Sequence, residues 1–261
     1  MELTGKSIVI TGAASGIGRA MAQRFAAEQP ARLVLVDINE AALAEVAEAL
    51  GAEHRCCDLS DETSVTDTFS EIDRSGQGID LYCGNAGVLF FGGLETPSDA
   101  FGKVLDINVM AHVYAMRALL PGMLERGGGY ALITASAAGL LTQLGSLSYS
   151  VSKHAALSVA EWLAVTYADR GLKVSALCPQ AVETAMTAGT EGGSVAGIDG
   201  MLKADAVAEV VLQGLRDESF LILPHPEVKK YFCNKANDYD RWVGGMASLQ
   251  RRFAELEPKF P

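Results

Sequence analysis

The chain has 261 residues, 49% of them hydrophobic and 20% charged, with 32 acidic against 21 basic side chains and a net charge of −11. Such a composition builds a buried core rather than a disordered segment, and its negative balance argues against nucleic acid or an anionic membrane surface as partner. No run of roughly 18 apolar residues marks a membrane span, and the amino terminus runs directly into a strand without a signal pattern.

The five cysteines, Cys56, Cys57, Cys83, Cys178 and Cys233, are odd in number and lack a CxxC, which fits reduced thiols in the cytoplasm. With four histidines and none spaced with cysteine as ligands, no metal site is expected.

Short β-branched runs alternate with longer amphipathic ones, the pattern of βαβ units around a parallel sheet. Ser7 to Thr11 is expected as the first strand and Gly16 to about Ala27 as the first helix. Leu33 to Asp37 follows as a strand, then a helix to Leu50 with Asn39 at its N-cap. Arg55 to Cys57 ends a third strand, Ser60 is expected to cap the next helix, and Asp80 to Asn85 is the fourth strand. Ser98 to about Arg126 reads as one long helix, bent or broken near Pro121.

Tyr130 to Thr134 is an apolar fifth strand that passes Ser136 and a glycine-punctuated loop. A helix from Tyr149 to Asp169 follows, ended by Gly171 at C′. Lys173 to Cys178 is the sixth strand, closed by Pro179. Residues 181–201 are Gly- and Thr-rich with weak periodicity and are expected to form a loop or lid. Asp205 to Arg216 is a helix and Phe220 to Leu223 a short seventh strand. Without repeats or a linker, residues 1–261 are expected to form one domain.

The end of the chain, about 225–257, reads as a helical tail. Phe232, Tyr239, Trp242, Met246, Leu249 and Phe253 recur at helical spacing as an apolar stripe. The stripe either packs onto the chain's own body or covers the active site or a neighbouring subunit.

Between the first strand and helix lies Thr11-Gly-Ala-Ala-Ser-Gly-Ile-Gly18. Gly12 permits a tight turn, Gly16 lets a pyrophosphate approach the backbone, and Gly18 lets helix and strand pack closely. The helix start supplies free amides and a positive dipole end for phosphate. Asp37 ends the second strand 19 residues after Gly18, where a carboxylate accepts hydrogen bonds from both adenosine ribose hydroxyls and repels a 2′-phosphate. Ser15 and Ile38 stand where a basic receiver of that phosphate is usual, so NAD is favoured over NADP. Asp58 either hydrogen-bonds adenine or caps a helix.

Tyr149 and Lys153 stand at i and i+4 on one helix face, a phenol beside a cation that favours phenolate. A second YxxxK, Tyr231 to Lys235, has no strand, glycine loop or serine before it and is expected to be incidental.

The glycine turn, Asp37, Asp58-Leu59, Asn85-Ala86-Gly87, Asn108, Ser136, Tyr149-xxx-Lys153 and Pro179 together resemble the short-chain dehydrogenases/reductases over about residues 4–224. The resemblance implies a doubly wound Rossmann-like α/β fold with a seven-stranded parallel sheet flanked by helices. It also implies NAD(P)-linked alcohol/carbonyl chemistry in a homotetramer or homodimer.

By position, Tyr149 is implied as general acid/base, and Lys153 as the residue that lowers its pKa and holds the nicotinamide ribose. Ser136 would hold the substrate oxygen, and Asn108 a water linking Lys153 to solvent. Ser15, Ile17, Ile38, Leu59 and Ala86 would border the cofactor, with Pro179, Val182 and Thr184 toward its nicotinamide end.

Two departures stand out: the usual NNAG reads Gly84-Asn-Ala-Gly87, and the usual Pro-Gly reads Pro179-Gln180. Gln180 is expected to touch the substrate. Leu140, Leu141, Leu144, Met186 and the tail suggest a largely hydrophobic substrate, although the same residues could be core. The reading is an NAD-dependent dehydrogenase of a secondary alcohol. Its alternatives are a reductase working chiefly toward the alcohol and a non-catalytic NAD-binding sensor or scaffold.

Overall fold

The structure is a computed structural model that describes residues 1–188 and 195–253. Its strands are β1 (Ser7–Thr11), β2 (Arg32–Asp37), β3 (Glu53–Cys56), β4 (Leu81–Gly84), β5 (Gly129–Thr134), β6 (Leu172–Leu177), β7 (Val182–Glu183), β8 (Leu202–Lys203) and β9 (Leu221–Ile222). All but β7 and β8 join one parallel sheet in the order β3-β2-β1-β4-β5-β6-β9. The chain winds from β1 outward to β3, then returns to β4 on the other side of β1. That reversal opens a crevice at the carboxyl ends of the central strands, where ligands bind in doubly wound folds.

Both faces of the sheet are covered, so successive strand residues enter two different cores. Ile8 and Ile10 of β1 join the core under α1 (Gly16–Ala26), α2 (Glu40–Leu50) and α8 (Ala204–Arg216), with Phe25, Leu43 and Val211. Val9 faces the opposite core with Phe69, Leu119 and Ala160, from α3 (Glu62–Arg74), α5 (Ala111–Glu125) and α7 (Leu147–Tyr167). Asn39 caps α2, accepting from the Ala42 amide at 3.2 Å, and Gly51 closes that helix in the left-handed region. The cap of α3 is Asp61 rather than Ser60, because Ser60 donates both its amide and its hydroxyl to Asp58.

The expected bend at Pro121 is also displaced. Pro121 rides inside α5, while the irregularity is a π-helical turn, Asp106–Met110, between α4 (Ser98–Leu105) and α5. Asn108 sits in that turn, fully buried, and its side chain pins it to Val88 and to Ser152 of α7. One-turn π segments of this kind gather at functional sites.

After β5 the expected loop holds a short helix, α6 (Ala138–Leu141). The supposed lid is tied at its roots by β7 and β8, which pair in parallel; residues 189–194 of it lie outside the described residues. The tail is two helices, α9 (Glu227–Asn237) and α10 (Tyr239–Arg252), broken at an extended Asp238 that caps the second. Residues 254–257 of the expected tail lie outside the described residues. Among the described residues no helix is long and apolar enough to cross a membrane, and no group of three His, Cys, Asp or Glu is placed to hold a metal ion.

Candidate active site

The crevice is one continuous cavity of about 1240 Å3. That exceeds the usual 300–1,000 Å3 of a pocket for one small ligand, and leaves room for a dinucleotide beside a substrate. Its floor at one end is the glycine turn. A Cβ at Gly12 would stand 2.9 Å from the Ala86 backbone, and one at Gly18 would meet the Gly12 carbonyl. Both positions therefore need glycine for the close approach of the turn to the end of β4.

Thr11 locks that approach: its hydroxyl accepts from the amides of Asn85 (2.9 Å) and Ala86 (3.1 Å), and Asn85 returns a bond to the Thr11 carbonyl at 3.2 Å. Thr11 was not among the expected site residues, although it opens the glycine motif. At the start of α1, Ser15 makes no side-chain cap bond, so the first-turn amides keep no side-chain partner.

Asp37, Ile38, Asp58 and Leu59 border the same end of the cavity. The Asp37 carboxylate accepts from the Ala14 amide at 3.1 Å and the Asn39 amide at 3.0 Å, tying the glycine turn to the end of β2. Ile38 is 64% exposed and brings no charge. The Asp58 carboxyl is held below its ordinary value by the two Ser60 hydrogen bonds. The residues present thus fit an adenine dinucleotide: a turn that only glycine permits, uncapped helix amides, and a carboxylate at the next strand end.

At the other end Ser136, Tyr149 and Lys153 come together, with Asn85, Ala86, Gly87, Pro179, Gln180, Val182 and Thr184 around them. Ser136 leaves β5 with its hydroxyl bonded to the Pro179 carbonyl (3.3 Å) and the Ala138 amide (3.1 Å), which fixes its direction. Ser146 caps α7 by accepting from the Tyr149 amide at 3.3 Å, and it also donates to the Phe90 carbonyl at 2.6 Å, so the helix carrying Tyr149 is held from both sides.

Lys153 is 2% exposed, donates to the Thr134 carbonyl at 2.9 Å, and lies 5.6 Å from the centre of the Tyr149 ring. Burial drives its pKa down to about 8. Burial also pushes the Tyr149 phenol above its ordinary 10, while the Ser136 hydroxyl pulls it back. Lys153 does not overcome that burial, contrary to the net lowering expected from the sequence.

Asn108 does not line the cavity; it lies behind it. Its amide donates to the Val88 carbonyl and the Ser152 hydroxyl, both at 2.9 Å, and its oxygen accepts from the Val88 amide at 2.8 Å. A Cβ on Gly87 would come within 3.3 Å of both the Asn108 oxygen and the Lys153 ammonium, so Gly87 lets the two groups stand close.

The Gly84 departure has a structural cause. A Cβ there would stand 2.5 Å from His112 Nδ1 and 2.7 Å from the Tyr82 hydroxyl, so a buried histidine occupies the space of the missing side chain. Burial pushes His112 down to about 3, aided by the charge of Lys153, and keeps it neutral.

The outer wall comes from the segments the sequence left open. Leu141 and Met186 line the cavity, whereas Leu140 is core and Leu144 lies elsewhere. Trp242, Met246 and Leu249 of α10 line it too, and no residue of α10 is buried, so this helix roofs the cavity rather than filling the core. Of the same stripe, Tyr239 is 60% exposed and Phe232 also points outward.

The second YxxxK is no acid–base pair, but it is not idle. Tyr231 donates to Asp199 at 2.9 Å, Gln180 donates to the other oxygen of Asp199 at 3.2 Å, and buried Lys235 donates to the Leu140 carbonyl at 2.7 Å. These bonds fasten α9 to α6 and to the root of the lid. No signal for them existed in the sequence, because each joins segments far apart in the chain.

Residues 6–193 match the family model described as short chain dehydrogenase. The chain is 36% identical over 255 residues to a 1-deoxy-11-beta-hydroxypentalenate dehydrogenase of Streptomyces exfoliatus, covering 93% of this chain and 91% of that one. Among solved structures, a short-chain dehydrogenase/reductase from Burkholderia phymatum in complex with NAD superposes with a TM-score of 0.84 at 28% identity, over 100% of this chain and 99% of that one. A Beutenbergia cavernae structure with NADP bound at low occupancy gives 0.78 at 25% identity, over 85% and 96%. The glycine turn, the gathered Ser136, Tyr149 and Lys153, and these likenesses agree: the chain is an oxidoreductase that belongs to the short-chain dehydrogenase/reductase family.

Proposed function

We propose that this protein is an NAD-dependent dehydrogenase that interconverts a secondary alcohol and a ketone on a largely hydrophobic substrate. The observation that carries the reading is the single cavity with Asp37 and the glycine turn at one end and Ser136, Tyr149 and Lys153 at the other. Held by the glycine turn and Asp37, a nicotinamide dinucleotide would supply the hydride acceptor for the carbinol carbon, or the donor in the reverse direction.

The chain's own residues do the rest. Ser136, held by Pro179 and Ala138, receives the substrate oxygen. Tyr149, as phenolate, takes the hydroxyl proton, and as phenol gives it back. Lys153, oriented by the Thr134 carbonyl, binds the nicotinamide ribose and supports the phenolate with its charge. Asn108 fixes the π turn behind Lys153 through Val88 and Ser152, where the family resemblance would place a water linking Lys153 to solvent. Asp37 binds the adenosine ribose, and its charge disfavours a 2′-phosphate; the Beutenbergia neighbour with NADP shows that the fold alone does not decide this.

The similarity to a 1-deoxy-11-beta-hydroxypentalenate dehydrogenase supports a hydroxylated substrate. One observation favours the reductive direction as a second reading: burial raises Tyr149, and a phenol is the acid that ketone reduction needs. The exposed Val151, Trp162 and Val165 of α7 support association with a second copy in a homodimer or homotetramer. The composition supports a cytoplasmic setting.

A panel of secondary alcohols and their ketones, run with NAD and NADP and followed by absorbance of the reduced cofactor, tests the proposal. Activity with NAD that vanishes in Tyr149→Phe is expected. Turnover retained in that variant would remove Tyr149 as acid/base, and a cofactor that binds without turnover of any substrate would favour a sensor.

A further inference from the structure

The roof of the cavity changes character along α10. Asp238, Arg241, Trp242, Gly245, Met246 and Leu249 face the cavity at spacings of three, one, three, one and three, one stripe of one helix. The stripe is ionic where α9 turns into α10 and apolar beyond it. Between Trp242 and Leu249 the roof is open at Gly245, where a Cβ would meet nothing within 4 Å.

Most ionisable groups in the wall already have a duty. Asp37 and Asp58 hold the turns at the nucleotide end. Lys153 is bound to the Thr134 carbonyl, Tyr231 to Asp199, and Asp238 caps α10 by accepting from the Arg241 amide at 2.9 Å. The Arg241 guanidinium has no hydrogen bond, ion pair or ring contact among the described residues. Lys153 and Arg241 are the only basic side chains of the wall among the described residues. Arg241 is exposed at the cavity's rim, and in a chain of net charge −11 an unpaired guanidinium there can receive an anion. A guanidinium fork matches a carboxylate best, with two parallel bonds.

We propose that the substrate is a hydroxy acid whose carboxylate binds Arg241, its apolar body lying under Trp242, Met246 and Leu249 and its hydroxyl at Ser136 and Tyr149. This rests on the reading of the Ser136–Tyr149 end as the place of the reacting oxygen. Arg241 is a specificity residue; it holds the far end of the substrate and takes no part in the proton or hydride steps. The neighbouring carboxylate of Asp238 makes the opposite preference, for a cationic substrate, the natural competitor.

Binding tests this without requiring turnover. In a Trp162→Phe background Trp242 is the sole tryptophan of the chain, and its emission reports ligands under α10. Adamantane-1-carboxylate, its methyl ester and adamantane-1-ammonium are titrated into the NAD-loaded protein, with calorimetry as a second readout. The carboxylate should bind on the order of 10- to 100-fold tighter than the ester, the range of a charge-assisted hydrogen-bonded contact. Arg241→Gln should erase that difference and Arg241→Lys keep part of it, with NAD affinity unchanged as proof of folding.

Equal binding of carboxylate and ester, a preference that survives Arg241→Gln, no binding of any of the three, or tightest binding of the ammonium ion would each overturn the proposal. Failure of the alcohol panel alone would instead strike the dehydrogenase reading and leave these affinities as they are.

Discussion

Asp37→Ala separates two jobs that one carboxylate performs. In the protein it accepts from the Ala14 and Asn39 amides at 3.1 and 3.0 Å, and with cofactor bound it is proposed to accept from the ribose hydroxyls. Hydrogen bonds to a charged acceptor contribute about 1.5–3 kcal/mol each, so losing both ribose contacts weakens NAD binding by roughly 3 kcal/mol or more, about 100-fold. For a 2′-phosphate about 4 Å away the carboxylate costs about 4 kcal/mol at an effective dielectric of 20. Solvent and salt cut that several-fold at this half-buried site. NADP should therefore gain about tenfold as NAD loses, and the preference should reverse or vanish.

The two backbone bonds contribute separately to stability, about 1 kcal/mol each, equivalent to a melting-point fall of roughly 4–8 °C. Fluorescence titrations with both cofactors and a melting curve read the two effects apart. A lower melting temperature with an unchanged NAD preference would show that Asp37 merely ties the glycine turn to β2.

Thr11→Val should lower the melting temperature and weaken NAD binding, because two amides lose their acceptor at about 1–3 kcal/mol each, while Thr11→Ser should restore both; a Val variant that melts like the parent would refute this. With the Tyr149 phenol raised above 10, oxidation needs the deprotonated form and reduction the protonated one. The oxidative kcat/KM should therefore climb from pH 7 upward while the reductive one stays level until the pH nears the raised phenol value, and a flat oxidative profile would count against Tyr149 as base. Gly84→Ala should destabilise by about 1–3 kcal/mol through contact with His112, and pairing it with His112→Ala should recover part of the loss; strictly additive losses in denaturant melts would contradict the fit. A thiol reagent should label Cys56 and Cys233 quickly in the native protein and Cys57, Cys83 and Cys178 only on unfolding, and fast labelling of Cys178 would mean that the core beside Tyr149 opens.

The strands and most helices were legible because each is dictated within a few residues. The alternation of Ile8, Val9 and Ile10 between two cores, the cap at Asn39 and the stop at Gly171 are local facts. The glycine turn with Asp37 and the Tyr149–Lys153 pair were legible for the same reason, one motif each. What escaped depends on partners distant in sequence. The irregularity of the long helix sits at Asn108 because that side chain bonds Val88 and Ser152, and Pro121 was the more visible but weaker cue. Ser60 is a local exception: it lost the cap of α3 to Asp61 because Asp58, two residues before it, had already engaged it.

The tail shows why a periodic stripe alone cannot settle what it covers. Its six apolar positions keep helical spacing across Asp238, where the chain in fact turns. Past that break Trp242, Met246 and Leu249 roof the cavity while Tyr239 faces outward. The roof is held through bonds that α9 makes rather than through burial of α10. Lys235 is anchored on the Leu140 carbonyl, and Tyr231 meets Gln180 across Asp199. Gln180, which stands where a glycine is usual, thus gains a place in the site by joining the chain after Pro179, whose carbonyl accepts from Ser136, to the helix that carries the roof. The glycine turn, Asp37 and Ser136 stand at strand ends, and Tyr149 and Lys153 on α7, which packs against the sheet. If Arg241 receives the substrate as proposed, its selection falls to a helix fastened on by a few polar bonds, which can vary in sequence without disturbing the site beneath.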